Sequence, residues 1–103
     1  MDEKGYQRYL EKKLYRMFPD CVIIKNDPRR MQGVPDILIL YHDRWAMLEL
    51  KLYDGAVIQP NQTYYVDMFN GMSFASFINP TNEEDVLHDL QQSFGFVGEA
   101  RNT

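Results

Sequence analysis

Two aliphatic stretches separated by only two residues constrain this 103-residue chain more than anything else in it. Pro35 to Tyr41 and Arg44 to Leu52 are both rich in Ile, Leu and other strand-forming residues, and His42-Asp43 lies between them. Two residues suffice only for a tight turn, so the segments are expected to fold back as an antiparallel hairpin. Side chains alternate along a strand, which puts Glu49 and Lys51 on one face and Leu48 and Leu50 on the other. Asp36 opens the first strand. A turn at 42–43 therefore brings Asp36 nearly opposite Glu49 at the open end of the hairpin.

The remaining elements arrange themselves around this pair. Residues 3–18 carry Tyr6, Leu10, Leu14, Met17 and Phe18 at helical spacing, and Pro19-Asp20 ends that helix. Cys21 to Lys25 reads as a short strand, and residues 26–33 as a polar loop ending at Gly33. A helix is expected from Pro60, well placed at a first helical position, to about Asn70, with Gly71 as its stop. Ser73 to Asn79 reads as a fourth strand. Thr81 and Glu84 fit a capping box for a last helix running to about Gln92, and residues 95–103 read as a frayed tail. There is no internal repeat or linker, so one domain is expected, with its core over about residues 6–92. The order α-β-β-β-α-β-α defines an α/β fold in which helices flank a small mixed sheet.

Composition closes off several classes of function. No apolar run reaches the length of a membrane span and the N-terminus lacks the apolar core of a signal peptide, so a cytoplasmic protein is expected. The single cysteine, Cys21, has no intramolecular disulfide partner and reads as a buried strand thiol. One Cys and two distant His do not make a zinc site. The net charge of −4 is unevenly spread: residues 1–30 carry +3 and residues 31–103 carry −7. A basic first third suits phosphates and an acidic remainder suits cations. Lys25, Arg29 and Arg30 flank the open end of the hairpin in sequence and are candidate nucleic-acid contacts, against the plainer reading of loop charges. Arg8, Lys12 and Arg16 form a stripe read as a solvated helix face.

The chemistry resides in the acids and the lysine. Two adjacent carboxylates raise each other's pKa unless a cation neutralises them. Mg²⁺ is bound by one or two carboxylates with water and substrate phosphate, and the Leu50 carbonyl would add a further oxygen. Glu11 is the candidate third acid, because Leu14, Tyr15 and Phe18 around it lean it toward the apolar face. Lys51 would orient the attacking water or stabilise charge on a phosphate. A lone Glu-x-Lys is commonly a solvated strand face. Set opposite Asp36 on a hairpin of matching length, it points instead to metal-assisted phosphodiester hydrolysis.

The string Gly33-Val34-Pro35-Asp36, then Glu49-Leu50-Lys51, then Gln62-Thr63-Tyr64-Tyr65 resembles the VRR-NUC (virus-type replication-repair nuclease) branch of the PD-(D/E)xK superfamily. The resemblance covers about residues 6–92. It implies a restriction-endonuclease-like core and a Mg²⁺-dependent DNA endonuclease, with Mn²⁺ able to substitute. Asp36 and Glu49 would be metal ligands, Lys51 the catalytic lysine, Gln62 the helix glutamine of the site and Glu11 the helical acid. Glu3 competes with Glu11, and Gln59 with Gln62, because the loop from Gly55 to Gln62 is longer than the family pattern. Small stand-alone members, mostly from phages and bacteria, resemble Holliday-junction resolvases, which implies a homodimer cutting branched DNA such as junctions or flaps. No helix-turn-helix or zinc finger is visible, so recognition through phosphates is expected. Two other readings stand beside this one: a non-catalytic DNA-binding or scaffold protein that keeps the nuclease fold, and a nuclease subunit of a larger repair or defence complex.

Overall fold

A computed structural model describes residues 1–95. The tail expected over 95–103 therefore lies, from residue 96 on, outside the described residues. The elements follow the expected order: α1 (Glu3–Met17), β1 (Val22–Lys25), β2 (Ile37–Tyr41), β3 (Arg44–Leu50), α2 (Pro60–Met72), β4 (Phe74–Ile78) and α3 (Glu83–Phe94). The strands form one mixed sheet in the order β1-β2-β3-β4. β1–β2 and β2–β3 are antiparallel, while β4 runs parallel to β3 after the α2 crossover. No helix among the described residues is long and apolar enough to cross a membrane.

The hairpin has the register its length requires. Tyr41 pairs with Arg44 across the two-residue turn, and Ile37 pairs with Leu48. His42 takes the turn's left-handed conformation, with φ 57°. The alternation of side chains then sorts the two faces. Ile37, Ile39, Ala46, Leu48, Leu50 and Ile78 are buried against Tyr6, Leu10 and Leu14 of α1 and Val86, Leu87, Leu90 and Phe94 of α3. Helix α2 packs on β3 and β4. Cys21 is buried and free just before β1.

Three local expectations need correction. Thr81 does not cap α3: the cap residue is Asn82, and neither it nor Thr81 offers the helix a capping side chain. Asn79 takes over that region, its Oδ1 accepting from the N–H groups of Thr81 and Asn82 at 2.8 and 2.9 Å. Gly71 does not stop α2, which runs on to Met72 and ends with Ser73 N–H bonded to the Phe69 carbonyl at 2.9 Å. A glycine ends a helix where it adopts a left-handed conformation, and Gly71 is not among the positive-φ glycines, which are Gly33, Gly55 and Gly95. Tyr15, counted toward the apolar face of α1, is 45% exposed, so the buried stripe is Tyr6-Leu10-Leu14.

Candidate metal and catalytic site

The site lies where β2 begins and β3 ends. Asp36 sits one residue before Ile37, which pairs with Leu48, so Asp36 falls level with Glu49 on the extended ladder. The loop after β1 fixes Asp36 there. Asn26 N–H donates to the Asp36 carbonyl at 2.9 Å, and the Asn26 side-chain amide donates to the Pro35 carbonyl at 2.8 Å. Across the hairpin, Leu50 N–H donates to Asp36 Oδ2 at 2.7 Å. A strand residue projects its N–H and C=O toward the same neighbour, so the Leu50 carbonyl emerges on the edge that faces Asp36.

Glu49 is only 4% exposed, an unusual position for a carboxylate. Burial, and next the charge of Asp36, push its carboxyl up to about 8, against the pull of Lys51. Burial raises Asp36 as well, opposed by the Leu50 N–H and reinforced by the charge of Glu3. The effect is one-sided: the charge of Asp36 raises Glu49, whereas the Glu49 side chain lowers Asp36, which burial and Glu3 raise.

Lys51 and Gln62 complete the arrangement. Lys51 N–H extends the β3–β4 pairing to the Ile78 carbonyl at 2.8 Å. Its Nζ lies 3.9 Å from Glu49 Oε2 and donates to Gln62 Oε1 at 2.9 Å and to the Val57 carbonyl at 3.0 Å. Gln62, in the first turn of α2, also accepts from Gln59 N–H at 2.9 Å through that same oxygen. Two donors on Oε1 fix the amide's orientation, and Nε2 is left to donate to Glu49 Oε2 at 3.1 Å. Gln62 therefore bridges Glu49 and Lys51, while Gln59 serves as the cap of α2.

A cavity of about 290 Å³ opens over these groups, lined by Glu3, Glu49, Leu50, Lys51 and Gln62 together with the 52–57 loop. Of the two helical acids, the structure brings Glu3 to this cavity and not Glu11. Glu11 lies two turns farther along α1, accepts from Gln7 Nε2 at 3.0 Å, and borders a separate hollow with Arg8, Lys12 and Tyr15. The topology carries the signal that the helical periodicity did not. Lys25, the last residue of β1, pairs with Ile37 next to Asp36, and it lines one hollow with Lys4, Gln7 and Arg8, so the first two turns of α1 stand at that end. The sequence candidates for phosphate binding also separate. Lys25 lies at this end of the sheet, whereas Arg29 is tied to Asp27 by Nε and Nη2 at 3.0 Å each, and Arg30 is an exposed loop residue.

No group of three or more His, Cys, Asp or Glu side chains is placed to hold a metal among the described residues. The donor set that is present, two carboxylates and a backbone carbonyl beside a lysine, matches Mg²⁺, which keeps several waters and takes substrate phosphate as ligand. No protein-family model, curated protein or solved structure matches the chain.

Proposed function

We propose that this protein is a Mg²⁺- or Mn²⁺-dependent nuclease with a restriction-endonuclease-like core of the VRR-NUC kind. The observation that carries the reading is the juxtaposition of Asp36 with the buried Glu49, a pair of acids that a cation would stabilise in its charged form, beside a lysine held by Gln62. Asp36, Glu49 and the Leu50 carbonyl would hold the ion. Once bound, it would polarise a phosphate and acidify water for attack. Lys51 would then face the reacting phosphate with its ammonium and stabilise the negative charge that grows there. Gln62 would keep that ammonium from collapsing onto Glu49, since its amide stands between them. Glu3 would face the same cavity from α1 and accept a hydrogen bond from water there.

The substrate class in this reading is DNA, with branched structures such as junctions and flaps first, acted on by a homodimer. A two-fold dimer presents two sites to a nearly two-fold junction. The test is cleavage of labelled four-way junctions, flaps, duplexes and single strands in Mg²⁺ and Mn²⁺, with Asp36→Ala as the control. Metal-dependent cutting that Asp36→Ala abolishes is expected. Equal cutting by the variant, or intact substrates throughout, rejects the proposal. Gel filtration of the active protein tests the dimer.

A further inference from the structure

A second cavity, about 300 Å³, is lined by Lys4, Gln7, Arg8 and Lys25. Glu3 of the acid-pair cavity and Lys4 of this one are successive residues, so the first turn of α1 forms the wall between them. Lys4 and Arg8 stand one helical turn apart on the same face of α1, and Lys25 reaches the cavity from the end of β1. Among the described residues these three side chains make no ion pair and no hydrogen bond, as is true also of Lys12, Arg16 and Arg30, but these three alone share one opening. Arg8 also borders the hollow that holds Glu11, but Glu11 is bonded to Gln7 instead. Three cations converging on one opening without a counter-charge repel one another, and an anion placed between them removes that repulsion.

We propose that Lys4, Arg8 and Lys25 form a subsite that grips a backbone phosphate of nucleic acid adjacent to the phosphate held at the acid pair. This rests on the nuclease reading for the identity of the neighbouring site, and it assigns α1 a role in substrate binding. β1 lies two strands from β3, about 10 Å across the sheet, so the two cavities engage nearby positions of one strand and not a distant arm. An arginine gives the subsite a planar fork for phosphate oxygens, and the two lysines add point charges. Such contacts set position and orientation without reading sequence.

The experiment titrates the full chain and its K4Q/R8Q/K25Q variant against a labelled four-way junction and a duplex in Ca²⁺, by fluorescence anisotropy across a range of salt. All three side chains are exposed, so the substitutions leave the core intact. A K12Q/R16Q variant alters the same helix outside the cavity and serves as the control. The triple variant is expected to bind at least about tenfold more weakly near 0.1 M salt, with a salt slope smaller by roughly 2 to 3, and the control to behave as the wild type. Unchanged binding by the triple variant, an equal loss in the control, or no binding by the wild type overturns the proposal. In a parallel titration with inorganic phosphate followed by NMR, loss of phosphate binding with DNA affinity retained would define a small-anion site and also overturn it. The two readings fail separately. Metal-dependent cutting with undiminished binding by the triple variant sinks the subsite alone, while the expected binding loss without cutting sinks the nuclease alone.

Discussion

The side-chain amide of Gln62 donates to Glu49 Oε2 across 3.1 Å, joining the first turn of α2 to the buried acid of β3. Its oxygen accepts from Lys51, so this one residue sets the distance between the ammonium and the carboxylate. Gln62→Ala is expected to lower metal-dependent cleavage about 10- to 100-fold, the usual effect of removing a group that orients metal ligands. Gln62→Glu should be worse, because a third carboxylate would press on Glu49 and draw Lys51 away. Single-turnover rates at saturating Mg²⁺ measure both. Rates near wild type for the alanine variant would leave Gln62 a helix-cap residue only.

The raised carboxyls make stability depend on pH in a defined direction. Glu49 titrates near 8 when folded, because of burial, then Asp36, with Lys51 opposing and Glu3 adding to the shift. Unfolded, it returns to its ordinary value near 4.5. Between those values the folded protein holds more protons than the unfolded chain, so stability falls as pH rises through that window. In metal-free buffer, Tm is expected to drop from about pH 5 to pH 8, and Glu49→Gln should flatten the slope. Mg²⁺ or Mn²⁺ at pH 8 should raise Tm in the wild type and not in Asp36→Ala, since an ion bound only to the folded state stabilises it. A rising Tm over the same range in the metal-free wild type would contradict the pairing of the two acids.

How much of this was legible in the sequence follows from which interactions are local. The hairpin was, because two residues between Tyr41 and Arg44 permit one register, and that register alone sets Asp36 against Glu49. Alternation likewise put Leu48 and Leu50 in the core. The choice between Glu3 and Glu11 was not legible from periodicity, because spacing on a helix says nothing of where the helix stands against the sheet. The packing of the first turns of α1 beside Lys25, at the end of β1, decides it. The Lys4-Arg8-Lys25 cavity escaped for the same reason: its members are adjacent only once α1 lies along β1. The α3 cap differs because Asn79 Oδ1 takes the Thr81 N–H, which a Thr81–Glu84 capping box would give to the Glu84 side chain, and the helix then starts one residue later, with Asn82 at the cap.

Gly33 shows how a backbone requirement reaches the site. Its φ is +93°, and a Cβ there would lie 2.7 Å from Asn61 Cγ and 3.0 Å from the Asn61 backbone carbon. The loop that carries Asp36 therefore packs directly on the residue before Gln62. Gly33→Ala combines a disfavoured backbone conformation with that clash and should cost roughly 1 to 3 kcal/mol, read from urea or thermal melts. Because the displaced residue adjoins Gln62, cleavage should fall further than stability at temperatures where the variant remains folded. Gly55→Ala is the comparison, with φ +85° but no atom within 4 Å of the added carbon. Equal losses in both variants would mean that backbone strain alone is at work.

Glu83, only 6% exposed at the start of α3, is held by Tyr6 at 2.9 Å, Tyr9 at 2.7 Å and Lys13 at 2.8 Å, all from α1. Burial alone would raise its carboxyl, but the hydrogen bonds from Lys13, Tyr9 and Tyr6 outweigh it and hold the group below its ordinary value. These three bonds clamp α1 to α3 and keep the first turns of α1, with Glu3, Lys4 and Arg8, in place at the end of the sheet. Glu83→Ala would leave a buried tyrosine hydroxyl without its acceptor and Lys13 without its counter-ion, a loss of about 3 kcal/mol. Lys13→Ala should cost less, about 1 kcal/mol, since that side chain keeps partial contact with water. The pH dependence runs opposite to that of Glu49. A carboxyl with a lowered folded pKa contributes stability that is present above its ordinary value near 4.5 and fades as pH falls through its folded value. Melts of wild type and Glu83→Gln should therefore diverge most above pH 5 and converge in acid. Because α1 carries the basic cavity, Glu83→Gln should also weaken nucleic-acid binding at neutral pH, though it removes no cation. A variant that melts at wild-type temperature and binds DNA as tightly would show that α1 is held by its apolar stripe alone.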